Sequence, residues 1–304
     1  MKKVVVVFPG QGSQRPGMAK DFYEEYQCAR EVFEEASDSI GVNLKQICFE
    51  ENELLNLTEF TQPAILTTEI AMYRTLEKEL GIQSSAFAGH SLGEYSALVA
   101  SNAILLADAV KIVKKRGQLM QEAVPQGIGA MAACICSDLL KTDFLKLVAE
   151  NEVEVANFNS FEQIVISGKK ENVEKTCKVL SENIAGIQTI SLNVSAPFHS
   201  SLMKPIEREF QQYLESFKLE KENSKFVLSN YTGDFHIPEE LVVNLTKQIS
   251  GSVNWIKNME ILAEQKLPII EIGPNRPLSK FFSTMGIEVQ SIINTKSIKK
   301  LKLN

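Results

Sequence analysis

The chain has 304 residues, of which 44% are hydrophobic, and a formal net charge of -6. This size and composition predict a globular protein with one large core, or with a large and a small one, and the acidic balance gives no reason to expect nucleic acid or an anionic membrane as a partner. No apolar run approaches the length of a membrane span, and the first one stops at Pro9-Gly10, too early for a signal sequence, so a cytoplasmic location is expected.

The first predicted element is a strand over residues 4–8, Val-Val-Val-Val-Phe, of the kind that is buried on both faces inside a parallel sheet. It ends in the turn Pro9-Gly10-Gln11-Gly12-Ser13-Gln14. This turn is not a dinucleotide-binding fingerprint, because Arg15 stands where the third glycine belongs, and it lacks the lysine of a P-loop. It still follows the carboxyl end of a predicted parallel strand, where open α/β sheets bind ligands.

Helical periodicity dominates the next part of the chain. One helical stretch is predicted around residues 22–37, and another begins at Thr61 or Gln62, with Pro63 at an early position, and continues to about residue 80, before Gly81. An amphipathic helix is predicted over about residues 106–123. Its basic positions are Lys111, Lys114, Lys115 and Arg116.

Between these two helices lies Gly89-His90-Ser91-Leu92-Gly93. A short apolar run precedes it, and residues 94–100 follow with helical spacing. A strand, a G-x-S-x-G turn and a helix form the setting of a nucleophile elbow, in which glycines allow a tight turn and the serine hydroxyl is exposed. The helix N-terminus then directs backbone N–H groups towards an oxyanion on a bound acyl group. We therefore predict that Ser91 is a nucleophile, in preference to a chance match within a loop.

Residues 127–196 show a pattern of predicted strands and helices that differs from the rest of the chain. Strands are predicted at 130–136, 153–158, 163–167 and 188–194, and helices at 137–151 and 171–184. This βαββαβ order is the ferredoxin-like split unit, and an insert of this size can fold as a small domain. We expect a larger domain from residues 1–126 and 197–304. After the insert, it includes a helix at about 203–217, a strand at 225–230, a helix near 239–249 and a strand at 267–272.

The five cysteines, Cys28, Cys48, Cys134, Cys136 and Cys177, are scattered along the chain. Only Cys134 and Cys136 are close, and in a strand their side chains would point to opposite faces. Neither a disulfide framework nor a metal site is therefore predicted.

A serine nucleophile needs a base, and the chain offers three histidines. His90 adjoins the serine on a turn where neighbouring side chains diverge, so a packing or hydrogen-bonding role is expected for it. His236 lies in a polar turn, where solvent exposure is expected. His199 follows the last strand of the insert, where the chain re-enters the large domain, and is therefore placed for a cleft between the domains.

An acid that orients the histidine would lie between Ser91 and His199 in the order typical of α/β-hydrolases. The candidates Asp108, Asp138 and Asp143 fall on predicted helices with no sign of facing inward. We therefore favour a Ser91–His199 dyad that a backbone carbonyl orients.

Taken together, six motifs resemble those of malonyl-CoA:acyl carrier protein transacylases, over nearly the whole chain from Phe8 to about Leu278. The motifs are Phe8-Pro9-Gly10-Gln11-Gly12-Ser13-Gln14, Thr61-Gln62-Pro63-Ala64, Gly89-His90-Ser91-Leu92-Gly93-Glu94-Tyr95, Arg116-Gly117, Asn157-Phe158-Asn159-Ser160 with Val165-Ile166-Ser167-Gly168, and Ser195-Ala196-Pro197-Phe198-His199-Ser200. The resemblance implies an α/β fold, with an α/β-hydrolase-like domain around a parallel sheet and an inserted ferredoxin-like domain. Phe161-Glu162 and Gly273-Pro274-Asn275-Arg276-Pro277 depart mildly from the family pattern.

The resemblance also implies roles for individual residues. Ser91 matches the nucleophile that accepts the malonyl group, and His199 matches its base. Gln11 and Leu92 match the positions whose backbone N–H groups form the oxyanion hole. Arg116 matches the arginine that pairs with the free malonate carboxylate, for which its fork of donors is well suited. Without the resemblance, a solvated helix face beside Lys114 and Lys115 would be the preferred interpretation of Arg116.

Two further positions follow from the resemblance. Gln248 matches the residue whose main-chain carbonyl orients the histidine, and Asn159 matches a polar residue that lines the cleft from the small domain. The implied substrates are malonyl-CoA and an acyl carrier protein, with no tightly bound cofactor. Because such carriers are acidic, two basic clusters are candidate docking surfaces, with a plain solvated face as the alternative. They are Lys111, Lys114 and Lys115, and the tail lysines Lys296, Lys299, Lys300 and Lys302.

The implied reaction is ping-pong transfer through a malonyl-serine, for fatty-acid synthesis. Three alternatives remain open at this point. They are a trans-acting malonyltransferase of a polyketide synthase, an acyl-carrier-protein acyl hydrolase, which has no use for a carboxylate-binding arginine, and a non-catalytic carrier-binding scaffold.

Overall fold

The computed structural model describes residues 3–125, 127–194 and 196–301. Gln126 and Ser195, at the predicted domain boundaries, and Lys302 of the basic tail lie outside these ranges. The strands are β1 Lys3–Phe8, β2 Gln83–Gly89, β3 Gly129–Ile135, β4 Glu154–Ser160, β5 Gln163–Lys169, β6 Gln188–Ser191, β7 Ile269–Ile272 and β8 Val289–Ile292. The helices are α1 Lys20–Glu25, α2 Gln27–Ile40, α3 Leu44–Phe49, α4 Thr58–Leu80, α5 Gly93–Ala100, α6 Leu106–Glu122, α7 Phe144–Glu150, α8 Lys170–Asn183, α9 Glu207–Glu215, α10 Leu241–Gln248, α11 Trp255–Glu264, α12 Pro277–Ser283 and α13 Thr295–Ile298. None of these helices has the length and apolar character needed to cross a bilayer.

The larger sheet is parallel, with strand order β2-β1-β7-β8. Its central strand β1 separates two hydrophobic clusters. Val4, Val6 and Phe8 pack into the cluster formed with α2, α4 and α6, whereas Val5 and Val7 pack against α11 and α12 on the opposite face. Alternate residues of a strand point to opposite faces, so an entirely apolar β1 is what a sheet covered on both sides requires. The predicted doubly buried strand is confirmed.

The second sheet is antiparallel, with order β4-β5-β3-β6. Its strands and the helices α7 and α8 follow the predicted βαββαβ order, and the sheet order is that of the ferredoxin-like unit. Its core is a hydrophobic cluster of its own, which includes Phe144, Ile164, Ile166 and Leu180. The expected fold, a parallel α/β unit with a ferredoxin-like insert, is confirmed. We propose that the insert is a separate domain over residues 127–196.

Several predicted boundaries were wrong. Helix α4 begins at Thr58, because the Leu57 carbonyl accepts from the amides of Phe60 and Thr61 and closes an earlier first turn, so Pro63 lies inside the helix. The helix predicted over 137–151 is interrupted, since Asp138 has a left-handed φ of 51° and only a short 3-10 turn precedes α7.

The C-terminal part of the chain deviates most from the prediction. The strand predicted at 225–230 is reduced to single bridges, of Val227 with Phe87 and of Leu228 with Phe235. The stretch predicted as one helix from 203 to 217 starts as a 3-10 turn around Pro205 before α9. The elements α11, α12, β8 and α13 were not predicted from the sequence.

Candidate active site

Ser91 stands on a sharp turn between β2 and α5. Its φ is 51°, in the left-handed region, which is strained for a side chain other than glycine. The glycines around it are required by space: a Cβ on Gly89 would overlap the backbone of Gly93, and a Cβ on Gly93 would overlap the carbonyl oxygen of Phe8. The predicted elbow geometry is therefore present, and the serine hydroxyl projects from the turn.

The turn after β1 lies against this elbow. The amide of His90 donates to the carbonyl of Phe8 across 2.9 Å, and a Cβ on Gly10 would overlap the carbonyl oxygen of His90. This close approach places the turn that carries Gln11 against the elbow that carries Leu92. Within the described ranges the backbone amides of Gln11 and Leu92 donate to no protein acceptor, so both are free to bind a ligand oxygen.

The structure brings Ser91 and His199 together. The Ser91 Oγ and the His199 Nε2 are 2.8 Å apart, and the His199 Nδ1 is 2.8 Å from the main-chain oxygen of Gln248. Because a carbonyl only accepts, Nδ1 carries the proton and Nε2 accepts from the serine hydroxyl. Burial, with the nearby charge of Arg116, lowers the pKa of His199 to about 3, so the ring is neutral at neutral pH.

The three aspartates that were considered as orienting acids lie elsewhere. Asp138 and Asp143 are exposed, and Asp108 faces Lys111 at 3.8 Å. The contact to the Gln248 carbonyl is the one expected for a dyad without an acid.

Arg116 reaches the same site from helix α6. Only 1% of its surface is exposed, so the interpretation as a solvated helix face is wrong. Its Nη1 donates to the Gln62 Oε1 at 3.0 Å, and its Nη2 donates to the Gln248 Oε1 at 2.8 Å and to the Ser91 Oγ at 3.0 Å. The guanidinium also lies over the ring of Tyr95, 5.4 Å from its centroid.

The charge of Arg116 has no counterion in the described residues, since no carboxylate comes within 4 Å of the guanidinium. Burial lowers the pKa of this group, although Tyr95 and the Glu94 carboxylate, which is linked to Arg116 through Gln248, act in the opposite sense. A buried, unpaired cation is costly unless a partner charge arrives. The arrangement is therefore suited to binding a carboxylate next to the Ser91 hydroxyl.

His90 and Asn159 link the elbow to the small sheet. The His90 Nε2 lies 2.7 Å from the Asn159 Oδ1, and the Asn159 Nδ2 donates to the Gln163 Oε1 at 2.9 Å. The His90 ring also packs against Trp255. The predicted packing and hydrogen-bonding role of His90 is confirmed. Asn159, on β4 of the small sheet, contacts the elbow at the end of β2 of the large sheet through this hydrogen bond.

The prediction of an exposed His236 was wrong. This side chain is 3% exposed, and its Nε2 lies 2.8 Å from the Oε1 of the fully buried Glu94. Polar neighbours in sequence suggested a surface turn, and Thr232 and Asp234 are exposed. The same segment nevertheless bonds to β2 through Leu228 and to the Ser91 amide through Asn230, and it buries the His236 side chain.

Sequence reasoning missed three polar side chains of the site. Asn230 accepts from the Ser91 amide, Glu94 accepts from Gln248, and Gln62 holds Arg116. For Glu94 the sequence held a signal, because it is the one charged residue in a helix that is otherwise apolar or small enough to be buried. A carboxylate buried with such a helix needs hydrogen-bond donors around it. For Asn230 we find no local signal.

The basic cluster on α6 is partly neutralised. Lys115 pairs with Glu209 at 2.7 Å and Lys111 with Asp108, while Lys114 lies over the Phe60 ring. Its role in docking a carrier remains a prediction. Among the described residues no group of three or more His, Cys, Asp or Glu side chains could hold a metal ion.

Comparison with known proteins agrees with this geometry. The family model of the acyl transferase domain matches residues 5–260. The malonyl CoA-acyl carrier protein transacylase of Bacillus subtilis (strain 168) is 41% identical over 298 residues, which cover 96% of this chain and 93% of the relative.

Solved structures give the same result. The malonyl CoA-acyl carrier protein transacylase from Clostridium perfringens Atcc 13124 matches with a TM-score of 0.91 and 38% identity, over 98% of this chain and 95% of that one. A complex of a type II PKS acyl-carrier protein with its malonyl-transacylase contains a chain that matches with a TM-score of 0.90 and 34% identity, over 99% and 98%. The chain described here belongs to the malonyl CoA-acyl carrier protein transacylase family of acyl transferases.

Proposed function

We propose that this chain transfers a malonyl group from malonyl-CoA to the phosphopantetheine thiol of an acyl carrier protein. The observation that carries the proposal is the buried guanidinium of Arg116, which has no carboxylate partner in the described residues and lies 3.0 Å from the Ser91 hydroxyl oxygen. A malonyl thioester has a carboxylate two carbons from the carbonyl that Ser91 attacks. Such a substrate supplies the missing countercharge and places its carbonyl at the nucleophile.

In the first half-reaction, His199 takes the proton of the Ser91 hydroxyl through Nε2 while Oγ attacks the thioester carbonyl. The Gln248 carbonyl holds the Nδ1 proton and stabilises the imidazolium that forms. The oxyanion lies between the free amides of Gln11 and Leu92. Collapse breaks the carbon–sulfur bond, coenzyme A leaves as the thiol with the proton from His199, and Ser91 carries the malonyl ester.

The second half-reaction repeats the steps of the first in reverse order, with the phosphopantetheine thiol in place of coenzyme A. The phosphopantetheine thiol gives its proton to His199, its sulfur attacks the malonyl ester, and the Ser91 oxygen leaves and regains the proton. This transfer has to outrun hydrolysis, which favours a site that restricts water. Burial of both His199 and Arg116 supports that requirement.

The remaining predicted residues have supporting roles in this proposal. Asn159 lines the cleft from the small domain and fixes the His90 ring. No tightly bound cofactor is required, since Ser91 supplies the nucleophile and the coenzyme A thioester supplies the leaving group. All five cysteines are free, which supports a location in the reducing cytoplasm.

Fatty-acid synthesis is the pathway we propose for the malonyl carrier product. Supply of a polyketide synthase is the second candidate, because a structural relative was solved with its type II PKS acyl-carrier protein. A comparison of malonyl transfer rates to fatty-acid and polyketide carrier proteins would separate the two pathways. The acyl hydrolase hypothesis is disfavoured, because plain acyl chains offer no carboxylate to Arg116.

Mass spectrometry tests the central step. After exposure to malonyl-CoA without a carrier, the wild-type chain should hold one malonyl group on Ser91, and Ser91→Ala should hold none. An unmodified Ser91 would exclude malonyl transfer to either kind of carrier. Release of free malonate faster than transfer to carrier would identify a hydrolase instead.

A further inference from the structure

Glu94 is a fully buried carboxylate in the first turn of α5, three residues after Ser91. Its Oε2 accepts from the Gln248 Nε2 at 2.7 Å and from the backbone amide of Asn230 at 2.9 Å. Its Oε1 lies 2.8 Å from the His236 Nε2. One side chain thereby joins the elbow helix to two segments that are distant in sequence.

The first of these segments carries Gln248, which contacts each principal group of the site. Its main-chain oxygen accepts from His199, its side-chain Oε1 accepts from Arg116, and its Nε2 donates to the Ser91 carbonyl as well as to Glu94. The Glu94 contact fixes the orientation of the Gln248 amide. That orientation presents Oε1 to Arg116, and the two Nε2 bonds anchor the residue whose main-chain carbonyl accepts from His199.

The second segment carries Asn230. Its Oδ1 accepts from the Ser91 amide at 2.6 Å, and its Nδ2 donates to the Gly89 carbonyl at 2.8 Å. These bonds hold the backbone on both sides of the strained Ser91, whose φ is 51°. Glu94 in turn holds the Asn230 backbone through its amide.

We propose that Glu94 is a positioning residue, which sets the placement of Ser91 relative to His199 by holding Asn230 and Gln248 together. It touches neither substrate nor the reacting atoms. The inference rests on the proposed function only for the choice of Ser91 and His199 as the reacting pair. A misplacement of about 1 Å at a reacting pair can lower a rate about 100-fold, so loss of this carboxylate should act on the rate of the chemical step.

The chemistry of the side chain predicts which substitutions are tolerated. Glu94→Gln keeps an oxygen for Gln248 and Asn230 and turns its NH₂ group towards His236. Because the His236 Nδ1 has no partner in the described residues, the imidazole proton can move there and free Nε2 to accept. Glu94→Asp keeps the charge, but its side chain is one methylene shorter, so the carboxylate lies farther from Gln248, Asn230 and His236. Glu94→Ala removes every side-chain contact.

The experiment measures kcat and KM for malonyl transfer, together with the rate at which phenylmethylsulfonyl fluoride inactivates Ser91. The Ser91 oxygen attacks the sulfonyl sulfur, gives its proton to His199 and displaces fluoride. Because the reagent carries no carboxylate, its rate reports on the Ser91–His199 pair independently of malonyl recognition. We expect Glu94→Ala and Glu94→Asp to lower kcat and the inactivation rate about 100-fold. Because the Gln248 Oε1 also accepts from Arg116, KM for malonyl-CoA should rise in these two variants, and Glu94→Gln should retain most of the activity.

Glu69→Ala is the matched control. Glu69 is also a fully buried glutamate, and it accepts from the Ser96 hydroxyl on the same helix α5, but it contacts no residue of the catalytic pair. The control should lose thermal stability while its kcat and inactivation rate stay within about threefold of wild type.

A double-mutant cycle tests the route of action. Combined with Gln248→Ala, which keeps the main-chain carbonyl, Glu94→Ala should cost less than the sum of the two single effects. Additive losses would show that Glu94 does not act through Gln248.

Three results would overturn the inference: wild-type kcat in folded Glu94→Asp, a loss in Glu94→Gln as large as in Glu94→Asp, or equal losses in Glu94→Ala and Glu69→Ala. Failure of the proposed function looks different. In that case the wild-type chain would transfer no malonyl but would still react with the sulfonyl fluoride, whose rate would continue to report on Glu94.

Discussion

The guanidinium of Arg116 donates a hydrogen bond to the hydroxyl oxygen of Ser91, with Nη2 and Oγ 3.0 Å apart. The same oxygen lies 2.8 Å from the His199 Nε2, so the hydroxyl donates to the base and accepts from the cation. The group that we propose binds the substrate carboxylate is therefore in contact with the hydroxyl that we propose attacks the thioester. In this proposal the contact couples selection of a carboxylate to the reactivity of the serine.

Arg116→Ala should remove malonyl selectivity. We expect kcat/KM for malonyl-CoA to fall about 100-fold or more, because two charge-assisted hydrogen bonds of about 1.5 to 3 kcal/mol each are lost. Acetyl transfer, which needs no carboxylate partner, should rise relative to malonyl transfer. Arg116→Lys should recover part of the malonyl rate, since it keeps the charge without the fork. An unchanged preference in Arg116→Ala would show that the carboxylate is recognised elsewhere.

His199→Ala should slow acylation of Ser91. Loss of a general base lowers a rate about 100- to 10,000-fold, and we expect an effect in the upper part of that range, because no second base contacts Oγ in the described residues. Rapid-quench mass spectrometry of the malonyl-Ser91 adduct measures this step. Acylation at the wild-type rate in a folded His199→Ala protein would be incompatible with the dyad.

The pH profile of Ser91 reactivity follows from the burial of His199. A histidine with a pKa near 6.5 would be largely protonated at pH 5, and the reaction with phenylmethylsulfonyl fluoride would slow more than about tenfold between pH 7 and pH 5. Because burial and the Arg116 charge lower the pKa of His199 to about 3, we expect a nearly constant rate over that interval. A drop of about tenfold would contradict a neutral, buried base.

Arg116→Ala should move the acid limb of the same profile. The positive charge of Arg116 is one of the causes that lower the pKa of His199. Its removal raises this pKa, so the loss of reactivity should begin at a higher pH than in wild type. An acid limb that does not move would assign the whole shift to burial.

Glu271 predicts a pH dependence of stability. Burial raises the pKa of this carboxyl from 4.5 to about 7, although it accepts from the Leu278 and Ser279 amides. Between these values the folded state holds the proton more tightly than the unfolded state, so the contribution is present at low pH and is lost as the pH rises through 7. Glu271→Gln cannot titrate. Relative to wild type, the variant should gain about 2 kcal/mol in free energy of unfolding between pH 5 and pH 8.

Urea unfolding of the two proteins at both pH values measures that difference. The comparison is between variants because His90 and His199 act in the opposite sense. Burial lowers the pKa of both rings, to about 4 and about 3, so their contribution is lost as the pH falls below 6.5. A difference that does not change with pH would show that Glu271 is ionised throughout.

Gly93→Ala should disrupt the elbow. The new methyl group would overlap the backbone carbonyl oxygens of both Phe8 and Pro9. We expect a loss of about 1 to 3 kcal/mol in free energy of unfolding, together with loss of Ser91 acylation. Gly168→Ala is the control, since its Cβ would meet only ordinary van der Waals contacts, with Val153 at 3.7 Å and with the Glu152 carbonyl oxygen at 3.8 Å. Equal effects of the two substitutions would argue against the steric requirement.

The sequence alone determined the features that depend on near neighbours in the chain. The apolar run of β1 requires burial on both faces, and the glycines around Ser91 are needed for a turn that only a few atoms define. The βαββαβ insert was predictable for the same reason, because its periodicity lies within the segment itself. Family motifs then supplied roles for Arg116 and Gln248 that their own neighbourhoods in the chain do not indicate.

Only the tertiary structure decided which polar side chains are buried and what they contact. His236 and Arg116 both lie in polar sequence surroundings, and both are buried because segments far away in the chain cover them. Asn230 and Glu94 likewise gain their contacts only when the chain brings residues 230 and 248 against the elbow. Hydrogen bonds between such distant groups depend on tertiary packing. The local pattern of apolar and polar residues carries no information about that packing. For that reason Ser91 could be predicted from its neighbours, whereas the network that positions it could not.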